Sequence, residues 1–141
     1  MKYIDTNVFI YAIENHEKYG RSCKKILEDI ENSKIKAGAS LLVLVETINV
    51  LNKINKELSR LNMKQLDISA NISAIESLPI TWLDLNLPII ERAAEYNYSI
   101  NAGDYIHIAT MELNQVNEIL SADSGLDKVM LVARTDPLEY K

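Results

Sequence analysis

Short apolar runs bounded by polar residues alternate along this chain with longer stretches whose apolar residues recur at helical spacing. That alternation is typical of an α/β fold with a mainly parallel sheet, because two parallel strands need a crossover, usually a helix, between them. At 141 residues, with 48% hydrophobic and 25% charged residues, the chain has the size and composition of a globular protein. We therefore expect a single domain over residues 1–141.

The same pattern predicts where the strands and helices lie. Strands are expected at residues 2–5, 35–39, 80–83, 118–122 and 129–133. Helices are expected at residues 8–13, 18–31, 41–54 and 64–78, from Asn86 to near residue 97, and from Gly103 onward. Thr6 and Asn7 are suited to cap the first of these helices, Ser40 is suited to cap the third, and Pro79 ends the fourth.

The single cysteine and the first residues bear on where the protein works. Cys23 cannot form an internal disulfide and lies in a helical stretch, so it indicates a buried thiol in a reducing compartment. The apolar amino-terminal run is interrupted by Asp5 and Asn7, and no small-residue cleavage site follows it. No segment approaches the ~20 apolar residues that a membrane span needs. We expect a cytoplasmic protein without a membrane partner.

Four acidic residues occupy positions that solubility alone does not explain. Asp5 ends the first predicted strand and Asp123 ends the fourth, and ligands bind at such carboxyl ends in open parallel sheets. Glu46 interrupts the almost wholly apolar helix LLVLVETINVL, and Asp104 opens the helix DYIHIATMEL. We expect the four carboxylates to meet at one edge of the sheet.

Each acid also has a purely structural explanation when it is taken alone. Asp5 and Asp123 are suited to bond their own backbone in turns. Asp104 is suited to a helix cap or to a first turn, where the macrodipole favours an acid. Glu46 shares a possible polar stripe with later residues of its helix. The joint interpretation is stronger, because four separate elements would deliver carboxylates to one place.

A cluster of four carboxylates repels itself unless cations are present. Like charges at close range raise the pKa of some members and cost stability, whereas hard divalent cations prefer oxygen ligands. The formal net charge of −5 argues mildly against a protein that grips nucleic acid through a basic excess. Bound divalent cations weaken that objection, because each one adds two positive charges at the site.

Four short motifs, YIDTN, VET, GDYIHIAT and SADSGLD, resemble the PIN-domain family in their order and spacing along nearly the whole chain. The resemblance is closest to VapC-type toxins of bacterial and archaeal toxin–antitoxin pairs. It implies a three-layer α/β/α sandwich with a five-stranded parallel sheet. It also implies cleavage of single-stranded or structured RNA that depends on Mg²⁺ or Mn²⁺.

Residue by residue, the resemblance assigns Asp5, Glu46, Asp104 and Asp123 to the family's acidic quartet. Thr6 and Asn7 match the polar pair that orients the first acid, and Ser121 matches a small hydroxyl residue that precedes the fourth. Asp127 matches an additional acid of some members, although Leu126 stands where the family often has an aromatic residue. A solvated loop position is the alternative for Asp127.

One of the two histidines, His107, is a candidate for acid–base chemistry. His107 lies one helical turn after Asp104, which suits a general base. It also matches a position that the family commonly fills with histidine for packing, and hydrolysis by two cations needs no histidine. His16 falls in a polar loop with no evident partner.

The implied mechanism is hydrolysis of an RNA phosphodiester with cations ~4 Å apart that activate water and stabilise the leaving oxygen. Asp5 would be the bridging ligand, Asp104 and Asp123 would complete the metal shell, and Glu46 would bind directly or through water. Positive side chains at helical spacing would contact RNA or a partner, unless they form only a solvated face: Lys53, Lys56, Arg60 and Lys64. The family also implies a homodimer and a small antitoxin whose basic side chain can enter the acidic site.

Other functions remain to be separated from this one. A haloacid dehalogenase phosphatase needs a second aspartate at position 7, where this chain has Asn7, and no GxxxxGK[ST] sequence indicates a P-loop nucleotide hydrolase. A catalytically silent PIN-like scaffold that binds RNA or protein is the alternative from another class, although it has no reason to keep four mutually repelling acids. A PIN nuclease of RNA maturation, rather than a toxin, is the other alternative.

Overall fold

The computed structural model describes residues 1–141 and contains five β-strands and six α-helices. The strands are β1 (Lys2–Ile4), β2 (Ala37–Ser40), β3 (Ile80–Leu83), β4 (Glu118–Leu120) and β5 (Ala133–Thr135). The helices are α1 (Thr6–Ile13), α2 (Gly20–Glu31), α3 (Leu42–Arg60), α4 (Ile68–Glu76), α5 (Leu87–Ala93) and α6 (Ala102–Leu113). Two short 3-10 helices, Ser124–Lys128 and Pro137–Glu139, lie on either side of β5 in the sequence.

The strands form one sheet in the order β3-β2-β1-β4-β5, and all four pairings are parallel. The chain therefore begins at the centre of the sheet, builds outward to β3, and then crosses to the other side to add β4 and β5. This reversal makes the carboxyl ends of β1 and β4 the switch point of the sheet, where open α/β folds bind ligands. The predicted α/β class with a five-stranded, mainly parallel sheet is confirmed.

Helices cover both faces of the sheet and give three layers. Successive strand residues point to opposite faces, so Ile4 and Leu120 join one buried cluster while Tyr3 and Ile119 join the other. The first cluster is completed by α1, α2, α3 and α4, and the second by α6 and the 3-10 helix Ser124–Lys128. Helix α5 packs on α6 through Ile89. None of the six helices combines the length and the apolar character needed to cross a membrane.

The two predicted helices in the middle of the chain have different bounds in the structure. Helix α3 runs to Arg60 rather than to residue 54, because no glycine or proline interrupts it before Asn62 adopts the left-handed conformation with φ 55°. Helix α4 starts at Ile68 rather than at residue 64. The side chain of Asn55 bonds both backbone groups of Leu66 and holds that segment outside the helix.

The last two predicted strands have different bounds in the structure. Strand β4 ends at Leu120 rather than at residue 122, and residues 129–132 lie outside β5, which begins at Ala133. Val129 is buried beneath the preceding 3-10 helix, whereas Met130 is 96% exposed. The apolar character of this run therefore reflects packing of Val129, and in part of Val132, against the second buried cluster, not strand pairing.

The first helix is capped by a different residue from the predicted pair. Asp5, not Thr6 or Asn7, is the capping residue, and its Oδ1 accepts a 2.7 Å hydrogen bond from the Thr6 backbone N–H. The Ser40 hydroxyl accepts from the Leu42 N–H over 3.0 Å at the start of α3. Two other predicted helices are shorter in the structure. The helix predicted at residues 18–31 begins at Gly20, and the helix predicted at residues 86–97 ends at Ala93.

Candidate functional site

The four acids predicted from the sequence line one cleft at the carboxyl edge of the sheet. The cleft has a volume of about 320 Å³. Asp5 reaches it from the end of β1, Asp123 from the loop after β4, Glu46 from α3, and Asp104 from the first turn of α6. Its remaining walls are formed by Thr6, Asn7, Ile10, Tyr11 and Val50. The structure thus brings together carboxylates that are separated by most of the sequence.

Asp5 lies at the bottom of the cleft and is held by hydrogen bonds on both carboxylate oxygens. The side chain is buried, and Oδ1 caps α1 through the Thr6 N–H. Oδ2 accepts from the Ser121 hydroxyl over 2.6 Å and from the Asn7 amide over 3.2 Å. These donors hold the carboxylate in one orientation.

Asn7 and Ser121 join the ends of β1 and β4 around that carboxylate. The Asn7 amide donates to the Ser121 hydroxyl over 3.1 Å, and Asn7 Oδ1 accepts from the Ala122 N–H over 3.2 Å. The Ser121 hydroxyl also accepts from the Asp123 N–H over 3.0 Å. One small network therefore sets the backbone on which both Asp5 and Asp123 stand.

Glu46 is held from two sides through a single oxygen. The Thr6 hydroxyl donates to Oε1 over 2.7 Å, and His107 Nε2 lies 2.5 Å from the same oxygen. Burial raises the pKa of Glu46, but the hydrogen bonds from His107 and Thr6 outweigh it and lower the pKa below its ordinary value. Burial lowers the pKa of His107, whereas its contact with Glu46 and the charge of Asp5 raise it above its ordinary value. Glu46 is therefore an anion at neutral pH.

Asp104 is the acid of the cluster whose pKa is raised by burial and by the neighbouring negative charges. Asn101 caps α6 by accepting from the Asp104 N–H over 2.9 Å, so Asp104 is a first-turn acid and not the cap. Burial and the charges of Asp5 and Asp123 raise the pKa of Asp104 to about 6. Asp123 bonds the Gly125 N–H through Oδ1 over 2.9 Å and caps the following 3-10 helix. Repulsion of this kind is what bound cations would relieve.

The donor chemistry of the cleft fits Mg²⁺ or Mn²⁺. Its charged groups are four carboxylates, and oxygen-only ligand sets suit these hard cations. As they stand, no three acidic, histidine or cysteine side chains are gathered closely enough to hold one ion between them. Binding would therefore draw the carboxylates inward, and the side chains with the fewest hydrogen bonds, Asp104 and Asp123, have the most freedom to move.

Asp127 and the two histidines lie outside the lining of the cleft. Asp127 does not line the cleft and instead forms a two-point ion pair with Arg134 at 2.8 and 3.0 Å. His107 is buried behind Glu46 and does not reach the cleft surface, which does not suit a general base. His16 was expected to have no partner, but its Nδ1 accepts from the backbone N–H groups of Lys18 and Tyr19. That last prediction is wrong because the loop folds back on the imidazole.

The predicted basic face is only partly formed. Lys53 and Lys56 are exposed on α3 beyond Val50, which lines the cleft. Arg60 is paired with Glu57, and Lys64 lies past the end of α3, so it does not share the helical spacing. The helical spacing of the four cations after Glu46 therefore holds in the structure only as far as Arg60, because Lys64 lies in the segment between α3 and α4.

Two residues near the site were missed by sequence reasoning. Tyr3 lies 2.5 Å from His107 through its hydroxyl, and Gly103 lies beside the carboxylate of Glu46. The strand pattern marks Tyr3 only as a core residue. Gly103 precedes Asp104 in the GDYIH motif, and that glycine is the only signal the sequence offers for a close approach at the helix start.

Comparison with solved structures shows the same fold in toxin–antitoxin proteins. VapC20 from Mycobacterium tuberculosis is similar with a TM-score of 0.72 and 14% identity, over 94% of this chain and 97% of that chain. VapBC2 from Rickettsia felis, bound to a promoter DNA fragment, has a TM-score of 0.68 and 15% identity over 96% and 98% of the two chains. A toxin–antitoxin complex from Klebsiella pneumoniae has a TM-score of 0.67 and 17% identity over 99% and 100%.

Sequence comparison identifies the family directly. No curated protein matches the chain at the level of sequence. The sequence profile of the PIN domain, in contrast, matches residues 2–130 and so includes the four acids that line the cleft. The match covers nearly the whole chain, and the fold is similar to that of the solved toxin structure over 94% of this chain. The chain therefore belongs to the PIN-domain family.

Proposed function

We propose that this protein is a ribonuclease that depends on Mg²⁺ or Mn²⁺, and that it acts as the toxin of a type II toxin–antitoxin pair in the cytoplasm. One observation carries the proposal: four carboxylates from four separate elements line one cleft at the switch point of the sheet. This arrangement does not stabilise the fold, because burial and the charges of Asp5 and Asp123 disfavour the ionised form of Asp104 and raise its pKa to about 6. Unfavourable charge clusters of this kind are typical of functional sites.

The family and the solved relatives support the same proposal. PIN domains are generally nucleases, and the profile covers residues 2–130. The Mycobacterium tuberculosis relative is described as a toxin that cleaves the sarcin–ricin loop, and the Rickettsia felis and Klebsiella pneumoniae relatives are toxin–antitoxin assemblies. At 14–17% identity these likenesses establish the fold, and RNA cleavage and an antitoxin are what we infer from them for this chain.

The acids of the cleft would have different roles in binding cations, according to how firmly hydrogen bonds hold each side chain. Bound divalent cations would supply the Lewis acidity that activates water and offsets charge on the phosphate. Asp5, with both oxygens fixed, would be the central ligand that sets the position of the site. Asp104 and Asp123 would complete the ligand set, and Glu46 would contribute through the oxygen that Thr6 and His107 leave unbonded.

RNA needs positive charge near the cleft, and Lys53 and Lys56 are the best placed of the predicted cations. Both lysines lie on α3, one and two turns after Val50, which lines the cleft. Both are exposed, and neither forms an ion pair. We assign phosphate contacts to these two lysines and not to Arg60, which is paired with Glu57. Asp127 is assigned a structural role through Arg134.

Partners are inferred from the surface as well as from the relatives. Val45 on α3 is 61% exposed and Leu87 at the start of α5 is 71% exposed. The homodimer that the family resemblance implies would need an apolar surface of this kind, and light scattering of the purified protein measures the oligomeric state directly. An antitoxin is tested by co-expression with the neighbouring reading frame and purification of the complex.

The experiment that tests the function is a cleavage assay with purified protein. A labelled RNA should be cut in Mg²⁺ or Mn²⁺, cutting should stop in excess EDTA, and Asp104→Asn should lose most of the activity. A DNA strand of the same sequence is the control for the RNA substrate. Cutting that continues undiminished in EDTA would overturn the metal-dependent mechanism.

A catalytically silent scaffold is the second candidate, and one observation favours it. The acidic side chains are not gathered tightly enough to hold an ion as they stand. A scaffold predicts no rise in melting temperature when Mg²⁺ or Mn²⁺ is added, whereas a metal-dependent nuclease predicts a clear rise. Induced expression separates a toxin from an RNA-maturation enzyme, since only a toxin should arrest growth in a manner that Asp104→Asn abolishes.

A further inference from the structure

A buried chain of polar groups runs from the centre of the sheet to the edge of the acidic cleft. The Ser40 N–H donates to the Tyr3 hydroxyl oxygen over 3.2 Å, and that hydroxyl lies 2.5 Å from Nδ1 of His107. Nε2 of His107 in turn lies 2.5 Å from Oε1 of Glu46. Tyr3 and Ser40 are fully buried and His107 is 2% exposed, so water does not replace these partners.

The chain fixes which nitrogen of His107 carries a proton toward Glu46. The Tyr3 hydroxyl has a proton to donate, and Nδ1 is the acceptor within its reach. With Nδ1 accepting, the proton of the neutral ring resides on Nε2 and points at Glu46 Oε1. In the charged ring Nε2 also carries a proton, so the bond to Glu46 is donated by His107 in either state.

The donors to Glu46 all use the same oxygen. Thr6 and His107 both bond Oε1, and Oε2 accepts no hydrogen bond from the protein. Oε2 instead lies against Gly103, where a β-carbon would stand only 2.9 Å from it. Position 103 therefore has room for the free carboxylate oxygen because its residue has no side chain.

We propose that Tyr3, His107 and Gly103 are positioning residues that hold Glu46 with Oε1 saturated and Oε2 directed to the cation site. This inference rests on the proposed metal-dependent function and deepens it. The GDYIH segment then carries three roles on one helix turn: room for Glu46 at position 103, an acidic side chain at 104, and a donor to Glu46 at 107. Groups behind a metal ligand fix its orientation and thereby its affinity for the ion.

Packing alone does not account for this arrangement. A residue that only filled space beside Tyr3 would be apolar, because burying a polar group stabilises a fold only when its partners are complete. Here every buried polar side-chain atom has a partner, and the last acceptor in the chain is a carboxylate of the cleft. The series of buried polar groups therefore ends at the candidate site and not at another core residue.

The test compares Mn²⁺ binding by calorimetry, in the absence of RNA, for wild type and four variants. His107→Leu removes both hydrogen bonds, and His107→Gln keeps them, because its amide can donate to Glu46 while its carbonyl accepts from Tyr3. Gly103→Ala adds a β-carbon that would stand 2.9 Å from Oε2 of Glu46, which must move, and 3.3 Å from Oδ1 of Asn101. Thr110→Val is the matched control, since Thr110 is buried on the same helix and its hydroxyl bonds only the Ile106 carbonyl.

We expect Mn²⁺ affinity to fall by about ten-fold or more in His107→Leu and Gly103→Ala. His107→Gln should retain affinity within a few-fold, and Thr110→Val should match wild type. Melting in EDTA reports folding separately, and Gly103→Ala should melt at the same or a higher temperature because alanine favours a helix over glycine. This variant keeps the test decisive if His107→Leu does not fold.

The outcomes distinguish this inference from the proposed function. Wild-type protein that binds no Mn²⁺ overturns both. Wild-type protein that binds Mn²⁺ while Gly103→Ala binds it equally well overturns only the positioning of Glu46. Weakened binding in Gly103→Ala together with retained binding in His107→Gln supports the inference.

Discussion

The Ser121 hydroxyl donates a 2.6 Å hydrogen bond to Oδ2 of Asp5, across a separation of 116 residues in the sequence. Ser121 follows β4 and Asp5 follows β1, so this contact joins the carboxyl ends of two adjacent strands. The same hydroxyl accepts from the Asp123 N–H, which couples the position of one acid to that of another. The geometry of the cleft and the pairing of the central strands are therefore not independent.

Replacing Ser121 by alanine should lower both stability and activity. The Asp123 N–H loses its acceptor and Asp5 loses a donor, and an unsatisfied buried group of this kind costs about 1–3 kcal/mol. Urea unfolding in EDTA measures the loss of stability, and the cleavage assay measures the loss of activity. Ser124→Ala is the control, because Ser124 lies in the same loop with an exposed side chain. Equal unfolding midpoints for Ser121→Ala and wild type would contradict the prediction.

Asp104→Asn should stabilise the metal-free protein in a way that grows with pH. The pKa of Asp104 is raised by burial and by Asp5 and Asp123 to about 6, so its charged form is less stable in the folded protein than in the unfolded chain. The resulting loss of stability is absent below the unfolded pKa near 4, develops between about pH 4 and pH 6, and is complete above pH 6. Thermal melts in EDTA across this range should show the variant above wild type at pH 7 and level with it at pH 4.

The control for that pH series is Asp84→Asn, which removes one negative charge at an exposed position outside the cleft. A stabilisation of Asp104→Asn that is as large at pH 4 as at pH 7 would show that titration of this carboxyl is not the cause. Nuclease activity of Asp104→Asn should nevertheless be low, because catalysis and metal-free stability place opposite demands on this charge.

Mg²⁺ or Mn²⁺ should raise the melting temperature of the wild-type protein. A ligand that binds only the native state at about one hundred times its Kd adds about 2.7 kcal/mol to the free energy of unfolding. The rise should be smaller for Asp5→Asn and should be reversed by EDTA. Differential scanning calorimetry with matched ionic strength in NaCl controls for screening of the acidic cluster. A melting temperature that divalent salt and NaCl change equally would count against a specific site.

Reversing the charge of Lys53 and Lys56 should weaken RNA binding without changing the fold. The variant Lys53→Glu/Lys56→Glu should reduce both the affinity and its dependence on salt, because fewer counterions are released on binding. Binding is measured with Asp104→Asn as the background so that RNA is not cut. Lys36→Glu/Lys141→Glu is the matched control, since it makes the same charge change at two exposed lysines that form no ion pair and do not line the cleft. Equal losses in both double variants would indicate a general charge effect rather than a binding surface.

The sequence carried enough information to predict the sheet and the residues of the cleft for identifiable physical reasons. Asp5 and Asp123 follow apolar strands, and parallel strands bring their carboxyl ends to one edge. Glu46 stood out because it interrupts an apolar helix. These signals are local patterns whose meaning depends on a general rule of α/β folds.

Other features depend on contacts between distant segments and leave no local pattern. The start of α4 is set by Asn55, whose side chain forms hydrogen bonds with the backbone of Leu66, 11 residues later in the sequence. The hydrogen bond between Tyr3 and His107 spans 104 residues, and alternation marks Tyr3 only as a strand residue of the core. Val129 is apolar because it is buried under a 3-10 helix, which periodicity cannot distinguish from a short strand.

The central position of β1 has a consequence for synthesis of the protein. The ribosome makes β1 before the other strands of the sheet, and its neighbour β4 begins only at Glu118, so one side of β1 stays unpaired until residues 118–120 have been made. Contacts between residues this far apart in the sequence form slowly, because a long loop must close, at a cost in entropy, before the contacts contribute to stability. Asp5 thus leaves the ribosome long before Asp123 can join it, and the acidic cleft is completed only after Asp123 has emerged. A nascent or truncated chain lacking β4 should carry three of the four acids and none of the finished site.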